Sequence, residues 1–159
     1  MQIKELMQTP PITCCETESI NRAAQLMWEH DIGAVPVTDS DGRVIGMITD
    51  RDVAMAAYTT GSSLQSLPIG NSMSKVVYSC APDETIVAVE KRMQEAQVHR
   101  VPVVDEDRRA LGMVSVSDIA RFADSNQKNG VNRELVHTLA TISAPRTPIA
   151  EISSQQASA

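Results

Sequence analysis

Two halves of this chain carry the same sequence pattern, and this repeat constrains the fold more than any other feature. When Met7 is set against Met73, an offset of 73 − 7 = 66 residues, residues 7–57 and 73–123 align without a gap. About 17 of the roughly 50 aligned pairs are identical, whereas ordinary residue usage gives about three by chance. Two copies are too few for a solenoid. The repeat therefore predicts two related units packed about a pseudo-two-fold axis, with a matched pair of clefts between them.

The composition is that of a globular protein with an aliphatic core. Of the 159 residues, 42% are hydrophobic and only 3% are aromatic, so Ile, Val, Leu, Ala and the 8 Met residues must fill the core. A formal net charge of −6 argues against binding to a phosphate backbone, which needs a basic surface. We therefore expect no nucleic-acid partner.

We find no targeting or metal-binding signal in the sequence. No apolar run approaches the roughly 20 residues that span a bilayer, and the first residues lack the charged-then-apolar order of a signal peptide. The sequence thus predicts a cytoplasmic protein without a membrane partner. Cys14 and Cys80 occupy equivalent repeat positions in apolar runs, which predicts buried thiols. The histidines show no ligand spacing, so no metal site is expected.

Each repeat has the pattern of strand, helix, strand, strand, helix. In the first copy, a short apolar run and capping oxygens precede Ile20, Ala24 and Met27, which recur at helical spacing. Two apolar strands joined by Asp/Gly turn residues follow. In the second copy Asp83 is the predicted helix cap, and Arg108 replaces the turn glycine.

The predicted fold class is α/β (α+β), with two tandem β-α-β-β-α motifs at residues 7–57 and 73–123. The closing helices are expected to begin near Asp50 and Ser117. Residues 58–72 have linker composition. The remaining residues, 124–159, predict a loop to residue 130, an amphipathic helix at 131–142 and a weakly ordered tail from residue 144.

Each repeat contains two short strings that resemble the CBS motif, named for cystathionine β-synthase. They read GAVPVTD (33–39) and GMITDRD (46–52) in the first copy, and HRVPVVD (99–105) and GMVSVSD (112–118) in the second. One string alone is weakly specific, but both strings occur in each repeat, in the same order and at the same spacing, which makes the resemblance strong. The two repeats together resemble a Bateman module over residues 7–123, and the resemblance implies a stand-alone CBS pair.

The second string of each copy resembles the nucleotide-binding signature of this family. Its residues are Gly46, Thr49 and Asp52 in the first copy, and Gly112, Ser115 and Asp118 in the second. A strand that ends at a helix N-terminus presents unpaired N–H groups to a phosphate. A carboxylate in the first helical turn can accept both hydroxyls of a ribose. A hydroxyl and an acid three residues apart also form a helix cap, so spacing alone leaves capping and binding equally open.

In the family, each cleft uses residues from both copies. By this resemblance the Asp52 cleft contains Thr49, Arg51, Val77, Tyr78, Val98, His99 and Arg100. The Asp118 cleft contains Ser115, Ser117, Pro11, Ile12, Ile32, Gly33 and Ala34.

The two clefts differ in charge. Arg51, His99 and Arg100 are candidate phosphate contacts in the Asp52 cleft, although the last two could simply begin a solvated strand. The Asp118 cleft has fewer cations. The sequence therefore predicts two unequal clefts, of which the Asp52 cleft binds an anionic nucleotide more tightly.

Three functions compete. The resemblance implies a non-catalytic sensor, a homodimer that binds AMP, ADP, ATP or a related adenosyl compound and acts through an effector protein. In such a dimer, apolar stripes like Ile20/Ala24/Met27 would pack against the second chain. A ligand-free dimeric interaction module with vestigial clefts is the alternative. Catalysis is not expected, because the sequence shows no nucleophile with a matched base and no phosphate-binding loop.

Overall fold

The computed structural model describes residues 1–126 and 129–142, which form two similar units. Its helices and strands are β1 Cys14–Cys15, α1 Ile20–His30, β2 Ala34–Thr38, β3 Val44–Thr49, α2 Asp50–Thr60, α3 Ile86–Ala96, β4 Arg100–Val104, β5 Ala110–Ser115, α4 Val116–Asn126 and α5 Asn129–Ile142, with 3-10 turns at Ile3–Glu5 and Ile69–Asn71. This order confirms the predicted α/β (α+β) class with two repeated motifs.

An antiparallel hairpin is the centre of each unit. The β2–β3 and β4–β5 pairs share the same register and the same irregularity before their last residue pair. In the first unit β1 adds to β2 in parallel, with Cys14 beside Val37. In the second unit Cys80 makes the equivalent parallel bridge to Val103. The first predicted strand of each copy is therefore only one or two residues long.

Hydrogen bonds between the units follow the 66-residue offset. Gln8 and Met113 exchange two backbone hydrogen bonds of 2.8 and 3.0 Å, and Ser74 and Met47 exchange two of 2.8 and 3.0 Å. The two pairs are equivalent because 8 + 66 = 74 and 47 + 66 = 113. This correspondence defines the pseudo-two-fold axis.

The segments upstream of the two motifs cross over between the units. Ile3 is fully buried in the core of the second unit, and its N–H donates to the carbonyl of Glu84 at 2.9 Å. Ile69, its repeat equivalent, is fully buried in the core of the first unit, and its N–H donates to Glu18 at 2.8 Å. Each hydrophobic core is therefore completed by the segment that precedes the other unit in the chain.

The tips of the two hairpins are also joined. The N–H of Val44 donates to the carbonyl of Arg108 at 2.9 Å. Arg108 has φ 65°, the left-handed region that Gly42 adopts at φ 79° in the first copy. Because that region is sterically unfavourable for residues with a Cβ atom, the second turn carries a strain that the glycine of the first turn avoids.

Hydroxyl groups cap the two equivalent helices α1 and α3. The Ser19 hydroxyl accepts from the N–H of Arg22, and the Thr85 hydroxyl accepts from Ala88, both at 3.3 Å. The prediction of Asp83 as the second cap was wrong, because Thr85 is the repeat equivalent of Ser19.

Helix α1 turns most of its apolar stripe towards its own unit. Ile20 and Met27 are 0% and 7% exposed and pack in the core of the first unit, whereas Ala24, the third residue of the stripe expected to contact a second chain, is partly exposed. The outer side of α1 and α2 instead carries Trp28 and Tyr58, which are 88% and 83% exposed.

Helix α5 packs against α3 and α4. The Gln94 amide donates to the Thr138 hydroxyl at 2.8 Å, and that hydroxyl donates to Glu90 at 3.5 Å. The offset relates Glu90 and Gln94 to Ala24 and Trp28 of α1. On the second unit, α5 therefore covers the helix face that is exposed on the first unit.

The helix ends differ slightly from the sequence-based limits. Helix α4 begins at Val116, one residue before the predicted start at Ser117, and α5 begins at Asn129 rather than residue 131. Helix α2 continues to Thr60, into the predicted linker. The predicted tail from residue 144 lies outside the described residues. In the described part of the chain, no helix is both long and apolar enough to cross a bilayer.

Two glycines permit the close contact between the units. A Cβ atom on Gly112 would lie 2.6 Å from the backbone oxygen of Gln8. A Cβ atom on Gly46 would lie 2.9 Å from that of Ser74. Real Cβ contacts are longer than this, so neither glycine can be replaced without movement of the backbone.

We predict that Gly112→Ala lowers the free energy of unfolding by about 1–3 kcal/mol, the usual cost of inserting a methyl group into a packed site. Urea denaturation measures the effect. Gly70→Ala is the matched control, because its Cβ would meet its nearest neighbour, an oxygen of Glu16, at 3.4 Å. Equal stabilities of the two variants would contradict the proposed packing.

Candidate functional site

Asp52 and Asp118 occupy equivalent positions in the first turns of α2 and α4. One oxygen of Asp52, Oδ2, accepts from the N–H and the hydroxyl of Thr49 at 2.8 and 2.7 Å, and the Thr49 hydroxyl accepts from the Asp52 N–H at 3.2 Å. Ser115 and Asp118 form the same set of bonds. Both acids therefore cap their helices, which fixes the position of each carboxylate but leaves its other oxygen, Oδ1, for further partners.

The Oδ1 atoms of Asp118 and Asp52 have different surroundings. Oδ1 of Asp118 accepts from the Gln8 amide at 2.6 Å and from the Arg121 guanidinium. Asp118 is 6% exposed. Asp52 is partly exposed, and none of the described residues donates a hydrogen bond to its Oδ1.

A cleft opens beside Asp118, between the two units. It is lined by Gln8, Pro10, Pro11, Ile12, Ile32, Ala34, Arg100, Met113, Ser115 and Asp118. The first unit and the residues before it supply an aliphatic wall, while the second unit supplies the acid. Six of the eight residues predicted for the Asp118 cleft line it: Pro11, Ile12, Ile32, Ala34, Ser115 and Asp118.

Arg100 lies in the wall of the Asp118 cleft, not with Asp52 as expected. A Cβ atom on Gly33 would lie 3.7 Å from Nη2 of Arg100. The physical reason is the pseudo-two-fold axis: Arg100 and Ala34 are equivalent positions, and the long side chain reaches across to the first unit. One of the three cations expected to bind phosphate at Asp52 therefore lines the other cleft.

The residues predicted for the Asp52 cleft are the repeat equivalents of those at Asp118. The offset relates Pro11, Ile12 and Ile32 to Val77, Tyr78 and Val98. Val77 and Val98 are partly buried, whereas Tyr78 is 43% exposed. Tyr78 is therefore more open to solvent than its counterpart Ile12, and the cleft at Asp52 stays a prediction.

The other predicted residues lie at the edges of the clefts. Arg51 and Ser117 are exposed in the first turns of α2 and α4. His99 is exposed, and its carbonyl accepts from the first N–H of α4 at 2.9 Å. Gly33 lines a separate shallow depression that also includes Asp31 and Asp50.

Four residues of the site were not predicted from the sequence. Gln8 and Arg121 bind the Asp118 carboxylate, and Pro10 and Met113 line the cleft. Arg121 could have been found, because residues three apart on a helix are neighbours. Gln8 could not, because its approach to Asp118 depends on the crossing of the N-terminal segment.

Arg92 fixes the segment that carries Val77 and Tyr78. Its guanidinium donates to the carbonyl of Ser79 at 2.7 Å and to the carboxylate of Glu84 at 2.8 and 3.1 Å. The hydrogen bond from Arg92 holds the pKa of Glu84 below its usual value. Arg92 is therefore a positioning residue for the wall of the Asp52 cleft.

The thiols of Cys14 and Cys80 are buried, as their repeat positions predict. Burial raises the pKa of each to about 12, so neither is ionised at neutral pH. Among the described residues, no group of three or more His, Cys, Asp or Glu side chains could hold a metal ion.

Comparisons with known proteins identify the family. The family model for the CBS domain matches twice, at residues 3–58 and 68–125. Hypoxic response protein 1 of Mycobacterium tuberculosis is 39% identical over 111 residues, which are 69% of this chain and 77% of that protein. The CBS domain-containing protein YhcV of Bacillus subtilis is 33% identical over 128 residues, 80% of this chain and 89% of that protein. This chain therefore belongs to the CBS domain family, as a tandem pair.

Solved CBS pairs have the same fold. The CBS domain pair of protein MJ0100, in complex with 5′-methylthioadenosine and S-adenosyl-L-methionine, has a TM-score of 0.72 and 31% identity, covering 80% of this chain and 98% of that one. Hypoxic response protein 1, solved with two coordinated zinc ions, has a TM-score of 0.69 and 35% identity, covering 76% of this chain and 98% of that one.

We predict that Glu84→Gln lowers the free energy of unfolding by about 1 kcal/mol at pH 7, through loss of the charged partner of Arg92. Because the folded pKa of Glu84 is lowered, this stabilisation is complete above the unfolded pKa of about 4.3 and is lost as pH falls through the folded pKa. Urea denaturation at pH 7 and at several values below pH 4 measures it.

The difference between wild type and Glu84→Gln should be constant near neutral pH and shrink in acid. Glu95→Gln is the control, because the Glu95–Lys91 pair is 67% and 75% exposed and should contribute nothing measurable. A difference that does not change with pH would rule out the ion pair as its cause.

Proposed function

We propose that this chain is a non-catalytic regulatory module that binds an adenosyl ligand, such as AMP, ADP or ATP, in the clefts between its CBS motifs. The observation that carries the proposal is the Asp118 carboxylate, which is fixed in a helix cap at a cleft whose other wall comes from the first repeat. Asp52 is fixed by the same hydrogen bonds at the equivalent position of the first repeat. The adenosyl compounds bound by the MJ0100 pair, at 31% identity, support this ligand class.

The cleft beside Asp118 has the chemistry that a nucleoside needs. Pro11, Ile12 and Ile32 offer apolar surface to the faces of a purine ring. The Asp118 carboxylate lies at this cleft, and it can accept from the two ribose hydroxyls once the Gln8 amide and the Arg121 guanidinium leave its Oδ1. The Arg100 guanidinium, which cannot lose its charge, is available for a phosphate or carboxylate on the ligand.

The Asp52 cleft offers a different combination. Its carboxylate has an oxygen to which no described residue donates, so a ribose can bind without displacing a protein group. Arg51 is its adjacent cation. We infer that Asp52 is the more accessible ribose acceptor and that Arg100 gives the Asp118 cleft its own affinity for anions.

Regulation requires that the ligand bind one state of the protein better than another. A ligand held between the repeats contacts both units, so it can favour one relative arrangement of them. We place the output in a homodimer that acts on an effector protein, in the cytoplasm, without nucleic-acid or membrane partners.

A ligand-free dimeric interaction module is the second candidate. Its support is the exposed face of the first unit, where Trp28 and Tyr58 are 88% and 83% exposed. Large exposed aromatic side chains are typical of protein interfaces. On the second unit, α5 covers the equivalent face within the chain. In this second candidate function, the exposed face of the first unit binds another protein chain and the clefts bind no ligand.

A panel of AMP, ADP, ATP, adenosine, 5′-methylthioadenosine and S-adenosylmethionine tests the proposal by thermal shift. We expect at least one compound to raise Tm by several degrees, since a ligand at 100 times its Kd adds about 2.7 kcal/mol and each kcal/mol gives about 2–4 °C. The shift should be lost in Asp52→Asn or Asp118→Asn. Asn retains an oxygen for the helix cap but removes the charge.

Asp107→Asn is the control, because Asp107 is exposed in a hairpin turn. It should respond to ligand as the wild type does. If protein stripped of nucleotide sediments as a dimer, and no compound raises its Tm, the sensor function is contradicted. The ligand-free interaction module is then the better explanation.

A further inference from the structure

Gln8 occupies the ligand-binding position of the Asp118 carboxylate. Its amide nitrogen Nε2 donates to Oδ1 of Asp118 at 2.6 Å, and Gln8 itself lines the cleft. We propose that Gln8 is a specificity-determining residue, which competes with the ribose diol for Asp118 and makes this cleft select against ribose. The inference rests on the proposed function, in that it assumes an adenosyl ligand.

The hydrogen bonds of Asp118 leave little room for a further donor. A carboxylate has about four acceptor positions. Ser115 fills two of them at Oδ2 through its N–H and its hydroxyl. Gln8 and Arg121 donate to Oδ1. Both hydroxyls of a ribose diol can therefore bind this carboxylate only by replacing Gln8 as well as Arg121.

Gln8 and Arg121 are both exposed residues whose backbones are fixed beside the cleft, Gln8 by its pairing with Met113 and Arg121 by helix α4. The Arg121 side chain is 66% exposed and can turn into solvent while it remains hydrated. Gln8 is held by two backbone hydrogen bonds to Met113, of 2.8 and 3.0 Å, so its Cα remains at the cleft even when its side chain rotates. The Gln8 amide can thus re-form its hydrogen bond to Asp118 whenever no ligand occupies the cleft.

The first unit shows that this arrangement is not a general feature of the fold. Ser74 is the equivalent of Gln8, and its hydroxyl donates to the carbonyl of Val76 at 3.3 Å rather than to Asp52. Met55 is the equivalent of Arg121 and has no charge. The two side chains that compete with a ribose for Asp118 therefore have no counterpart at Asp52.

Calorimetric titration of Gln8→Ala with adenosine and with 2′,3′-dideoxyadenosine tests the inference. All proteins carry Asp52→Asn to weaken the other cleft. Ala retains the backbone pairing with Met113 and removes only the amide. We expect adenosine to bind about tenfold more tightly than it binds the parent, while the affinity for the dideoxy compound, which has no diol, does not change.

Gln65→Ala is the control, since it removes an exposed amide elsewhere on the surface and should leave both affinities unchanged. Adenosine affinity that is unchanged or reduced in Gln8→Ala would overturn the inference, as would an equal gain for both compounds. If adenosine binds the wild type but neither Asp52→Asn protein, the inference fails and the proposed function stands. If no adenosyl compound binds any form, both fail.

Discussion

The fold depends on the close backbone contact between each upstream segment and the hairpin of the opposite unit. Gln8 pairs with Met113, and Ser74 pairs with Met47, through hydrogen bonds of 2.8–3.0 Å. Both contacts pass over a glycine, because a side chain there would overlap the backbone oxygen opposite. This pairing brings Ile3 and Ile69 into the cores that they complete. It also places the chain beside each capping acid, so the same contact that closes the cores creates the clefts.

Duplication gives the two clefts one backbone plan, and a few side chains make them chemically unequal. Arg100 stands where the first unit has Ala34, and it carries a positive charge across the axis into the Asp118 cleft. Gln8 stands where the second segment has Ser74, and only Gln8 reaches an acid. If both clefts bind ligand as proposed, these differences predict unequal affinities for one ligand, or a preference for two ligands of different charge.

Much of the fold could be predicted from the sequence, because the repeat, the hairpins and the helix caps are local patterns. The 66-residue offset predicts the equivalence of the two units, and the capping pattern places Asp52 and Asp118 in their first turns. The direction in which a side chain crosses the axis depends on the packing of the two units, so a local sequence pattern does not predict it. Arg100 is the first residue of the second-unit hairpin, but its side chain reaches the first unit, because the axis brings positions 34 and 100 together. The burial of Ile20 and Met27 likewise depends on which face of α1 meets its own sheet.

The crossing of the upstream segments completes both cores, and methyl NOE spectroscopy tests it most directly. In protein with labelled Ile and Val methyl groups, we predict contacts from Ile3 to second-unit core residues such as Val89 and Val103. We likewise predict contacts from Ile69 to the first-unit residues Ile20 and Ile48. Contacts from Ile3 to the first unit, or from Ile69 to the second, would contradict the crossed packing and the origin of both clefts.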